Sequence, residues 1–241
     1  MNTKGSHMML EERINEIGCE LVKCRKRCAG ICNKPEEGIL PRCLIYQGKN
    51  GNEDKGVVIV GLNPGHASKK EKDFYQNNNS YEEVKAWWNQ QFAQDTGNEP
   101  NGGHYYSKLR YLANRLGLNG PILWTEVVHC ENENGTGGLT FNKFPQTFRA
   151  CMRDYLLKEM ERVPSTWKVI AVTREAYSVA RCLFLDHGVI GVPHPRSQGQ
   201  EFQKLFDAEH NIRPEVRDQV GNILKCAPET VWMQFGLKVR A

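Results

Sequence analysis

Three groups of residues in this chain have the types and spacing for chemistry. The first is an asparagine at a corner. In KGVVIVGLNPGHAS, residues 55–68, a short apolar run reaches Gly61 and breaks on Asn63, Pro64 and Gly65, each a turn-former for a different reason. Either the corner is plain topology, or the Asn63 amide is held still for a reaction. The second group is GVIGVPHPR, where His194 follows another apolar run and precedes a proline. Such a histidine is either an ordinary loop residue or a catalyst. The third is a set of nine cysteines. Cys19, Cys24, Cys28, Cys32 and Cys43 crowd the N-terminal region, while Cys130, Cys151, Cys182 and Cys226 are dispersed. No signal peptide is read ahead of the first helix, so this count points to metal or redox use before disulfides. Four thiolates are the usual holding set for a 4Fe–4S cluster, and they equally suit structural zinc.

Regular elements must position these residues. Leu10, Ile14, Ile17, Leu21 and Cys24 recur at helical spacing and predict an amphipathic helix over 9–24. Pro35, Gly38 and Pro41 make 24–43 irregular. Short buried strands are expected at 57–60, 121–128, 167–173 and 188–193. Helices are expected at 80–94, where Ser80 and Glu83 form a capping box, at 105–116, at 146–161 and at 174–185. The polar stretch 66–80 reads as a mobile loop, the Asn/Gly-rich run 132–138 as a loop, and 200–223 as helix and loop. Alternation of strands and helices implies parallel pairing, hence an α/β fold: a three-layer α/β/α sandwich around a central, mainly parallel four-stranded sheet. In open sheets of this kind ligands bind beyond the carboxyl ends of the strands. Asn63 and His194 both lie just past such ends.

With 241 residues, 39% of them hydrophobic, the chain can build a stable core unaided. It reads as a single domain over 9–241 with a cysteine-rich segment at about 19–43, behind residues 1–8, where Gly5-Ser6-His7-Met8 looks like an expression-tag remnant. The formal charge of +4 suits a polyanionic partner without requiring one. No apolar run approaches the roughly 20 residues of a membrane helix, and a cytoplasmic or nucleoid-associated monomer is expected.

Gly61-Leu62-Asn63-Pro64-Gly65 and His194-Pro195-Arg196, in this order, resemble the two signature motifs of the uracil-DNA glycosylase superfamily. A second resemblance is to its iron–sulfur branches: ERINEIGCELVKCRKRC resembles their opening helix, ILWTEVVHC their V-V-x-C strand, Cys151 before YLLKEM their fourth ligand, and WKVIAVTREAYSVA their next strand and helix. The similarity runs, with insertions, from about residue 10 to 200. It implies a monofunctional glycosylase that extrudes a damaged base from DNA and hydrolyses its bond to the sugar. Asn63 would orient the attacking water and His194 would donate a hydrogen bond to the departing base. Gly61, Leu62, Pro64 and Gly65 would shape the base pocket. Phe74 would stack on the base, in competition with Tyr75, Tyr105 and Tyr106, while Trp87 and Trp88 read as packing residues. Arg196, Ser197 and Gln198 would probe the groove or touch phosphate.

The resemblance selects Cys24, Cys28, Cys130 and Cys151 for the cluster, with three residues between the first pair where two are usual. Cys32 and Cys43 remain substitutes, and Cys24, Cys28, Cys32 and Cys43 form an alternative local zinc set. Cys182 and Cys226 read as small core residues. Two departures bear on the substrate. Gly65 replaces a bulky tyrosine, removing the wall that excludes a 5-methyl group. Glu126 stands where the family reads the base with asparagine, and an ionised glutamate only accepts hydrogen bonds. The preferred base is therefore expected not to be plain uracil: a base carrying an exocyclic amine, or a neutral Glu126 in a buried pocket, fits better; otherwise Glu126 pairs with a Lys or Arg and faces away. A damaged-base-binding module without turnover is the competing function, and an unrelated α/β domain with zinc a third.

Overall fold

The computed structural model describes residues 3–42, 44–48, 53–94, 105–133, 139–196, 200–225 and 229–234. In chain order the elements are α1 (Thr3–Val22), β1 (Ile31–Cys32), β2 (Ile45–Gln47), β3 (Val57–Gly61), α2 (Lys69–Tyr75), α3 (Tyr81–Gln94), α4 (Tyr105–Arg115), β4 (Ile122–Glu126), β5 (Glu131–Asn132) and α5 (Pro145–Cys151). A π-turn (Met152–Leu156) leads into α6 (Leu157–Met160), followed by β6 (Lys168–Val172), α7 (Arg174–Leu183), β7 (Val189–Val192), α8 (Pro214–Lys225) and β8 (Thr230–Trp232).

The main sheet has six strands in the order β2-β4-β3-β6-β7-β8, with β1 and β5 forming a separate antiparallel pair. The fold is α/β, as expected, but the expected four strands are six. The added β2 and β8 are three residues each and sit at the sheet's two edges. An edge strand is defined by one partner rather than by an apolar run, so neither stands out in the sequence. β3–β6, β6–β7 and β7–β8 are parallel. Every residue of β3, β4, β6 and β7 is buried, as strands covered on both faces require.

Contacts divide the chain into two compact units. One comprises Met1–Gly48, Gly61–Gln90 and Leu123–Val163; the other Lys49–Val60, Gln91–Ile122 and Pro164–Ala241. The first has a core of Val22, Leu40, Tyr75, Tyr81 and Val84, against which Phe74, Trp87 and Trp88 pack. In the second, Leu109, Leu112 and Ala113 of α4 are fully buried, and α8 contributes Val216, Val220 and Ile223. Helix α4 ends on Gly117, whose φ of +80° is a conformation few other residues tolerate.

Three further expectations are corrected. The first helix begins at Thr3 rather than at residue 9 and ends at Val22 rather than Cys24. The stretch 66–80 contains α2, capped by Ser68, whose hydroxyl accepts from Glu71 N at 3.2 Å. Its polar surface hides one fully buried residue, Tyr75. Cys182 is exposed rather than core; α7 is amphipathic and buries Ala176 and Ala180 instead. Cys43, Ser197, Gln198 and Cys226 lie outside the described residues.

Candidate functional site

The first unit contains the asparagine corner. Pairing continues past β3: Val127 N donates to Gly61 O at 2.9 Å and Val128 N to Leu62 O at 3.0 Å. Asn63 follows at once and is partly exposed. Its Nδ2 donates to the Pro64 carbonyl at 3.1 Å. That fixes the amide and leaves Oδ1 as its acceptor. Pro64 is buried and Gly65 exposed, with no atom near the place a Gly65 Cβ would occupy.

Glu126 closes β4 and is 6% exposed. Its carboxyl lies against the Cα of Gly61, so that a Cβ there would collide with Oε2. Among the described residues Oε2 is buried without a hydrogen-bond partner. Burial pushes the carboxyl up from 4.5 to about 8, against a smaller opposing pull from Arg42. The protonated, neutral carboxyl is thereby favoured at pH 7. It forms no ion pair with Lys or Arg among the described residues.

Charges that sequence reasoning passed over surround the corner. Arg42 is buried; its Nε pairs with Glu71 Oε1 at 2.9 Å and its NH2 with Glu131 Oε2 at 3.0 Å. The same NH2 donates to the Gly65 carbonyl. Glu131 Oε2 also accepts from Ala67 N at 2.8 Å. Phe74 lies with its ring centroid 4.7 Å from that of Trp87 and 5.6 Å from that of Tyr75.

The first unit also gathers cysteines. Cys24, Cys28, Cys130 and Cys151 line one cavity that is partly open to solvent. Cys24 and Cys28 follow α1 in a segment without regular structure. It is held where Asn33 Nδ2 donates to Cys24 O at 2.9 Å and Thr147 Oγ1 to Ala29 O at 2.8 Å. Cys130 follows β4, and Cys151 ends α5 at the point where the helix loosens into the π-turn. Burial raises both thiols, that of Cys151 to about 12. Cys19 instead donates to Glu82, and Cys32 sits opposite Glu131 in the β1–β5 pair. Neither Cys19 nor Cys32 lines the cavity.

Four thiols are the usual holding set for a 4Fe–4S cluster, and they equally suit structural zinc. Among the described residues no three His, Cys, Asp or Glu side chains are placed to hold a metal ion. Of the alternative zinc set, Cys24 and Cys28 line the cavity, Cys32 does not, and Cys43 lies outside the described residues.

The second unit holds His194, just after β7. Its Nδ1 accepts from Arg196 N at 3.1 Å, which places the neutral ring's proton on Nε2. Burial, with Arg196 nearby, lowers its pKa from the usual histidine value, so the ring is neutral at pH 7. Tyr105 of α4 lies over the imidazole with ring centroids 5.1 Å apart. Lys108, one turn on and 9% exposed, reaches the Pro195 carbonyl at 3.5 Å. Arg196 is exposed. Tyr105 thus supports the histidine, a role its place opening a predicted helix did not signal.

No helix among the described residues is long and apolar enough to cross a membrane. Compared with known proteins, the chain matches no family model, no curated protein and no solved structure at a significant level.

Proposed function

We propose that the chain is a DNA glycosylase of the uracil-DNA glycosylase type, cleaving a damaged base from deoxyribose by hydrolysis. Asn63 Oδ1 accepts a hydrogen bond from the attacking water and orients it without taking its proton. The glycosidic electron pair leaves with the base while the water oxygen bonds to C1′, and the water's proton reaches the base through solvent. His194 Nε2–H donates to the base carbonyl where negative charge accumulates. A neutral Glu126 donates its O–H to one atom of the base edge and accepts from its neighbour, as an asparagine amide would. An oxidised, deaminated or similar oxo-base then fits better than one carrying an amine.

Cys24, Cys28, Cys130 and Cys151 would hold a 4Fe–4S cluster. Bound there, it would tie three separated stretches of chain together, and no redox step is invoked.

One observation carries this reading. The four thiols that the resemblance singles out, scattered over more than half the chain, line a single cavity, and Cys19 and Cys32 do not. The test is multiple turnover on oligonucleotides bearing a panel of deaminated and alkylated bases. Abasic product in molar excess over protein is expected. Binding without excess product would instead identify a damage-binding module, a reading favoured by the lack of an ionised carboxylate at either Asn63 or Glu126.

A further inference from the structure

We propose that Arg42 and Glu131 are positioning residues that lock the Asn63 corner from behind. The inference rests on the reading of Asn63 as the water-holding residue.

Residues 62–68 join β3 to α2 without regular structure, so their backbone polar groups need partners from elsewhere. Asn63 secures Pro64 O with its own amide. Arg42 secures Gly65 O, Glu131 secures Ala67 N, and Ser68 caps α2. Arg42 also grips Glu71, on the first turn of α2. One guanidinium therefore reaches the middle of the corner and the helix that follows it. Arg42 is itself fixed: its N donates to His129 O at 2.9 Å, and its carbonyl lies 3.1 Å from His129 Nδ1. The other ring nitrogen, Nε2, lies 3.1 Å from Glu159 Oε1. Glu159 Oε2 accepts from Thr125 Oγ1 at 2.5 Å.

Stability alone is a poor account of this arrangement. Two carboxylates and one guanidinium are withdrawn from water, and apolar replacements for buried ion groups are often neutral or stabilising. What a planar five-donor fork supplies, and hydrocarbon does not, is direction. Here it holds a carbonyl two residues from the amide that must present its oxygen.

The test uses the full chain with oligonucleotide substrate, comparing Asn63→Ala, Arg42→Lys and Glu131→Gln. Lysine keeps the charge but cannot span the Gly65 carbonyl and both carboxylates. Arg42→Lys is expected to lower kcat by about 10- to 100-fold, with KM within about twofold, and to speed amide exchange across 65–68. Glu131→Gln keeps an acceptor for Ala67 N and is expected to lose less. A slow Asn63→Ala with an Arg42→Lys that retains wild-type kcat and exchange overturns the clamp. If Asn63→Ala proceeds at the wild-type rate, the glycosylase reading fails, while the exchange data still report on the clamp. Should Arg42→Lys not fold, Glu131→Gln decides: unchanged kcat and unchanged exchange refute the proposal.

Discussion

Glu126 is a buried carboxyl at the end of a strand, with an oxygen that has no hydrogen-bond partner among the described residues, a placement that needs an explanation. Ligand recognition by its neutral form supplies one, and the sign of its pH dependence follows. With the folded pKa raised to about 8, the acid is protonated below that pH and ionised above it. Excision of an oxo-base is expected to fall as pH rises through about 8, and Glu126→Gln, always neutral, to keep activity while flattening that limb of the profile. A wild-type profile that stays level to pH 9 would remove Glu126 from base reading. Stability shifts the same way. Between pH 4.5 and about 8 the folded protein holds a proton that the unfolded chain has released, so stability declines over that window. Chemical denaturation across it, wild type against Glu126→Gln, measures the difference. On the proposed glycosylase reading, His194→Ala is expected to slow single-turnover cleavage about 100- to 1,000-fold, the usual loss for one aimed donor.

At the scale of elements, the strand-to-helix corner is built from local and distant parts. Ser68 caps α2. Ser68→Ala is expected to cost about 1 kcal/mol, a fall in Tm of roughly 2–4 °C for a chain of this size. Gly61 sits at a close approach, because a side chain there meets the Glu126 carboxyl, the end of a side chain that would have to shift. Gly61→Ala should destabilise by about 1–3 kcal/mol through overpacking, and adding Glu126→Ala should recover part of that loss. Strictly additive effects in thermal unfolding would show that the two residues do not press on each other.

Across the molecule, the cysteines separate into two classes. Cys24, Cys28, Cys130 and Cys151 share a cavity, while Cys19 and Cys182 sit elsewhere. Serine at any of the first four is expected to abolish iron and sulfide content and the brown absorbance of protein purified without oxygen, and to lower Tm. Serine at Cys19 or Cys182 should leave the metal content unchanged. Stoichiometric zinc in place of iron would overturn the cluster assignment and leave the cavity as a zinc site.

The amino-acid sequence alone determined what repeats locally. Continuous apolar runs specify β3, β4, β6 and β7, the Ser80–Glu83 box opens α3, and the turn chemistry of Asn63-Pro64-Gly65 places an amide just past a strand end. These signals are legible because each is fixed by neighbours in the chain. Arg42, Glu71 and Glu131 carried no such signal: in a polar segment a charged residue looks like a solvated one, and only packing shows that these three are withdrawn from water together. Tertiary structure likewise decided the upward shift of the Glu126 carboxyl, because desolvation depends on what surrounds it. It also separated Cys32 from Cys28, four residues apart, by pairing Cys32 into a strand. Residue type and spacing name the groups able to react; burial and long-range contacts assign their protonation and their partners.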